Sequence, residues 1–119
     1  MAYDQNNIFA KIIRGEIPCD KVFENDHVLA FKDIAPQAPV HVLVIPKGAY
    51  IDIADFNKNA GDEEILAFNR AVSEIIGNLG LDNGLRTISN QDEHGGQEVP
   101  HYHLHLLGGE PLGPMLVKS

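Results

Sequence analysis

Histidine recurs at every second position in His101-Tyr102-His103-Leu104-His105-Leu106-Leu107, and the residues between are apolar. A period of two belongs to a β-strand, whose successive side chains point to opposite faces. The run therefore predicts a strand with His101, His103 and His105 on one face and Tyr102, Leu104 and Leu106 on the other. One face belongs to a core and the other to a site. Of the six histidines in the chain, half fall within these few residues. Imidazole titrates nearest neutrality, so a row of three can offer a nucleophile, a proton donor and a hydrogen-bond orienter without large pKa tuning.

The rest of the chain supplies partners for such a strand. Asn7 to Gly15 has apolar residues at helical spacing and ends on glycine, which predicts a short amphipathic helix with a left-handed cap. Residues 21–24 and 28–32 read as a hairpin around Asn25-Asp26. Pro36 and Pro39 stiffen a loop before His41-Val42-Leu43-Val44-Ile45-Pro46, a strand too continuously apolar to have a solvated face. Gly61 to Leu79 predicts one long helix, with acidic residues at its N-terminus and Ile65, Leu66, Phe68, Val72, Ile75, Ile76 and Leu79 toward the sheet. A strand over 85–89 leads to Asn90, and the loop His94-Gly95-Gly96-Gln97-Glu98 feeds the histidine strand. The expected architecture is one α+β domain over residues 1–119, with an antiparallel sheet of about five strands, one long helix, one short helix and a C-terminal arm over 111–119.

Composition narrows the partners. The chain has 119 residues, 44% of them hydrophobic, which suits a single core without disulfides. Its 17 acidic against 9 basic side chains give a net charge of -8, and the basic ones are scattered, which disfavours nucleic acid and anionic membranes as partners. The polar start and the lack of a long apolar run lead to the expectation of a cytoplasmic protein. Cys19 is the single cysteine and reads as structural or incidental.

With these residues in hand, the chain closely resembles the histidine triad (HIT) family, whose signature is His-x-His-x-His followed by two more apolar residues, with x apolar. The likeness extends through residues 33–47, Asn90, Gly95-Gly96-Gln97 and Leu107-Gly108-Gly109 and covers roughly residues 6–115, with the domain core at about 6–110. Within the family it is most similar to the Hint branch, the purine nucleoside phosphoramidases, with the Fhit-type dinucleoside polyphosphate hydrolases as nearest competitor. The resemblance implies the HIT fold, a homodimer, and a purine nucleotide substrate such as an AMP or GMP conjugate, with no cofactor. It implies that His103 attacks the α-phosphorus, His101 orients it through a main-chain carbonyl, His105 faces the phosphate oxygens, and His41 completes the cluster. Asp33 would accept from the ribose hydroxyls, and Asn90 and Gln97 would position ribose or phosphate. Gly96, with Gly95, would bring main-chain N–H groups close to phosphate. Phe9, Ile12, Ile17, Phe31 and Ile34 resemble the apolar base slot, though each is equally an ordinary core position, and Val99 and Glu98, the latter through its backbone N–H, are also implied to bind the nucleotide.

Glu98 departs from the serine of animal Hint proteins. A carboxylate can only accept hydrogen bonds and repels phosphate, so Glu98 is expected to turn away or to receive a cationic leaving group. Two rival readings come from other classes. His-x-His is also a zinc-ligand spacing, with His41 or His94 as further ligands, but no supporting shell of ligands accompanies it. The chain could also be a nucleotide-binding regulator whose hydrolysis is incidental.

Overall fold

The computed structural model describes residues 2–116; the end of the expected arm, residues 117–119, lies outside the described residues. Five strands form one antiparallel sheet: β1 (Lys21–Glu24), β2 (Val28–Lys32), β3 (Val40–Pro46), β4 (Leu85–Ile88) and β5 (Leu104–Gly108). Their spatial order is β1-β2-β3-β5-β4. The continuously apolar β3 is thus the middle strand, paired on both edges, as a strand without a solvated face requires.

Parity along the strands sorts the side chains. Val42 pairs with Leu106, and Ala30 with Val44, placing these residues on one face with Tyr102. There they pack with Phe56, Phe68, Ala71 and Ile75 into the larger core cluster. On the opposite face Leu43 pairs with both Phe31 and His105, and His41 pairs with Leu107. Leu29, Phe31, Leu43 and Ile45 gather with Phe9 into a smaller cluster on that face, and the histidines share it.

Among the described residues there are four helices where two were expected: α1 (Ile8–Ile13), α2 (Ile53–Asn59), α3 (Asp62–Asn78) and α4 (Asp92–Gly95). In α1 the Asn7 side chain caps the N-terminus by accepting from Ala10 N–H at 2.9 Å, and Gly15 takes the left-handed conformation past its end. Helix α2 is too short for an apolar period, but Asp52 caps it by accepting from Asp55 N–H, and Phe56 anchors it in the core. In α3, Phe68, Ala71 and Ile75 form the buried stripe, while Leu66 is 55% exposed and not part of the face assigned to it from sequence. At that helix position the side chain has turned away from the sheet. Helix α4 is a single turn where a plain loop was expected, closed by Gly96 at φ 73.

Candidate active site

The histidine run starts in a bend at His101 and becomes a strand with ladder pairing only at Leu104, three residues later than the alternation predicts. Its partner β3 ends at Pro46, which cannot donate a ladder hydrogen bond. Other bonds hold the approach: His101 N–H donates to Val99 O at 2.9 Å, and Tyr102 N–H to Tyr50 O at 2.8 Å. The facing predicted from the alternation holds, with Tyr102, Leu104 and Leu106 on the core side and the imidazoles on the other.

Main-chain atoms fix which nitrogen of His101, His103 and His41 carries its proton, and His41 in turn fixes His105. His103 Nδ1 lies 2.7 Å from His101 O, and a carbonyl only accepts, so Nδ1 bears the proton and Nε2 keeps a free lone pair. By the same logic His101 donates from Nε2 to Pro46 O at 2.8 Å, and its Nδ1 accepts from the Tyr3 hydroxyl at 2.6 Å. His41 Nδ1 accepts from Gln37 N–H at 3.1 Å, so its Nε2 donates to His105 Nδ1 at 2.9 Å. His105 is left with its Nε2–H free to donate. One open lone pair and one open donor therefore stand on adjacent rings, whose centroids are 5.1 Å apart.

Burial favours the neutral form of His101, His103 and His105. Desolvation pushes His101 and His105 down to about 4, with the neighbouring imidazoles His103 and His41 adding to the fall at His105. His103 is also lowered by burial, partly offset by its bond to the His101 carbonyl and by the charges of Asp33 and Glu98. Phe9 meets the His103 ring edge-on at 5.0 Å, adding to that desolvation.

The rings open into a cavity of about 600 Å³, a size that suits a small organic ligand. His103 and His105 line its floor together with Asn90, while Phe9, Ile12, Ile17, Phe31 and Leu43 make an apolar wall. Asp33 stands at one side, its Oδ1 accepting from Ala35 N–H at 2.8 Å and its Oδ2 lying 3.5 Å from His41 Nε2. The cavity thus has an apolar half, a carboxylate, and an imidazole pair beside a glycine loop.

The HIT domain profile matches residues 14–112. This chain belongs to the HIT family. A HIT-like protein of Azospirillum brasilense is 55% identical over 118 residues, spanning 98% of this chain and 97% of that protein. The purine nucleoside phosphoramidase of Escherichia coli K12 is 48% identical over 116 residues, 94% of each chain. Among solved structures, a HIT family hydrolase from Clostridium thermocellum superposes with a TM-score of 0.86 at 37% identity, covering 96% of this chain and 99% of that one. A histidine triad protein from Clostridium difficile gives 0.83 at 39% identity, covering 97% and 100%. The chain is accordingly a HIT hydrolase with the HIT fold.

In this HIT protein most of the residues singled out from sequence converge on the cavity. Asp33, Asn90, Gly96, Glu98, Val99, Phe9, Ile12, Ile17 and Phe31 line it, and Ile34 stands at its mouth, 97% exposed. His101 and His41 lie behind the lining rings, buried. Gln97 is placed differently: its Nε2 donates to Ile51 O at 2.6 Å and Val99 O at 3.0 Å, and its Oε1 accepts from Asp92 N–H. Its amide braces the loop instead of reaching into the cavity. Glu98 is exposed on the rim yet still lines the cavity, so it has not turned wholly away. His94 is exposed on α4.

Sequence reasoning passed over three contributors. Gln37 was read only as part of a rigid loop, yet its N–H sets the His41 tautomer. Cys19, half-buried, is part of the apolar wall, its thiol pushed up by burial. Tyr3 carries no local pattern; only its contact with His101, far along the chain, reveals it. A metal could find one donor atom each from Asp33, His41 and His105 within 4.8 Å, although the two imidazoles already share a proton there. Among the described residues no helix is long and apolar enough to cross a membrane.

Proposed function

We propose that this HIT hydrolase cleaves the phosphorus–nitrogen bond of purine nucleoside 5'-phosphoramidates, releasing the nucleoside monophosphate. The observation that carries the reading is the free Nε2 lone pair of His103, fixed by the bond from Nδ1 to the His101 carbonyl. The name of the E. coli relative supports the substrate class. In the first step His103 Nε2 bonds to the α-phosphorus as the P–N bond breaks, and the amine leaves after taking up a proton from solvent, which the water of the second step gives back. Attack turns the neutral ring into a cation, which the His101 carbonyl stabilises at Nδ1–H. His105 donates its Nε2–H to a phosphate oxygen. Water then displaces the imidazole and restores it.

The apolar wall takes the base, Asp33 accepts from the ribose hydroxyls, and Asn90 with Gly96 holds ribose and phosphate. Glu98 on the rim faces the departing amine and favours cationic leaving groups. We place the enzyme in the cytoplasm as a homodimer of single-domain chains, without metal or cofactor. Sedimentation at micromolar concentration is expected to give twice the chain mass; a monomeric active species overturns the dimer.

The deciding experiment is steady-state AMP release from adenosine 5'-phosphoramidate by wild type and His103→Ala, each with and without chelator. Turnover that survives chelator and falls more than about a hundredfold in the variant supports metal-free nucleophilic catalysis. Wild-type inactivity redirects the assignment to dinucleoside polyphosphates. Loss of activity in chelator favours zinc on Asp33, His41 and His105, the second reading that the donor cluster permits.

A further inference from the structure

His101 is held at every polar atom. Its N–H donates to Val99 O, its Nε2–H to Pro46 O, its carbonyl accepts from His103 Nδ1, and its own Nδ1 accepts from the Tyr3 hydroxyl at 2.6 Å. The first three bonds come from the sheet and its approach. The fourth comes from the chain's N-terminal segment, which is itself tied down. Asp4 O accepts from Asn7 N–H at 3.3 Å and from Asn7 Nδ2 at 2.8 Å, and Arg14 donates to Gln5 O at 2.8 Å, folding residues 3–7 back onto α1. That helix in turn sets Phe9 against the rings of both His101 and His103.

We propose that Tyr3 is a positioning residue for the nucleophile, acting through His101. The His101 ring is fully buried, so its Nδ1 has no solvent to bond if the tyrosine is lost. The hydroxyl closes the one side of the ring that the sheet leaves open, with the tyrosine ring meeting the imidazole at 70° and 5.6 Å. Holding this ring holds the peptide whose carbonyl carries the His103 proton. Burial raises the Tyr3 phenol above its ordinary value, so at neutral pH it remains a donor. The N-terminal segment thereby becomes part of the catalytic apparatus, although Tyr3 does not line the cavity and touches no substrate.

This role rests on the phosphoramidase reading for its kinetic arm alone. Tyr3→Phe keeps the ring packing and removes only the hydroxyl. Adenosine 5'-phosphoramidate turnover is expected to show kcat lowered about 3- to 10-fold, the size of one hydrogen bond, with KM unchanged. In parallel, nitrogen-15 NMR of the ligand-free protein is expected to show the His103 Nδ1–H resonance displaced in the variant. A wild-type kcat in Tyr3→Phe, or an unmoved His103 resonance, overturns the proposal. If the wild-type enzyme fails to turn over the phosphoramidate, the functional reading falls, and the NMR comparison still decides the role of Tyr3.

Discussion

Protonation of His103 would consume the lone pair that attacks phosphorus, so the acid side of the pH–rate profile reports how hard that ring is to charge. Burial lowers His103, and it takes His105 to about 4. A lowered pKa extends the neutral form toward acid. The acid limb of kcat/KM for the free enzyme is therefore expected below the ordinary histidine value of about 6.5, measured from pH 4 to 8 with the phosphoramidate substrate. A limb at or above 6.5 would mean that the rings are more hydrated than their burial implies. At this scale the sequence was informative about which residues matter and silent about how they are held. Identity and alternation pick out the three imidazoles, whereas each tautomer depends on a distant oxygen or N–H, such as Pro46 O or Gln37 N–H, that spacing along the chain does not encode.

Among the elements, those with a long apolar period were legible and those built on a cap were not. Strand β3 is a continuous apolar run and helix α3 carries many residues of one period, and both fall within a residue or two of their expected limits. Helix α2 spans only two turns, its existence resting on the Asp52 cap and on Phe56, which no periodicity announces. That single aromatic is 1% exposed and packs against Phe68 and Tyr102 with centroids 5.2 Å away in each case. Phe56→Ala is expected to cost about 3–5 kcal/mol, the usual range for deleting a buried phenyl, read as a drop in the urea midpoint. Since Phe56 lies on the face opposite the imidazoles, the folded fraction should keep the wild-type kcat. A lowered kcat in fully folded variant would show that the two faces of the sheet are coupled.

For the molecule as a whole, three histidines whose charged form burial disfavours, His101, His103 and the half-buried His105, link folding to pH. Unfolding restores each to about 6.5, so between that value and the lowered native ones, about 4 for His101 and His105, the unfolded chain binds more protons. Stability is expected to be fully present above pH 6.5 and to decline as pH falls toward 4. Urea unfolding at pH 7.0 and 5.0 checks it, and an unchanged midpoint would contradict the burial of the cluster. The two-faced sheet was legible from the start, because a period of two and a continuously apolar middle strand admit few other arrangements. It also has a genetic consequence. At two places in β3 and β5, neighbouring codons divide between the imidazole cluster and the core: His41 and His105 belong to the first, Val42 and Leu106 to the second. Substitutions at His41 and His105 should accordingly lower rate, whereas those at Val42 and Leu106, like those at Leu43 and Ile45 in the smaller cluster, should lower stability. Insertion or deletion of one codon in either strand exchanges the two sets at once, so such alleles have no intermediate phenotype.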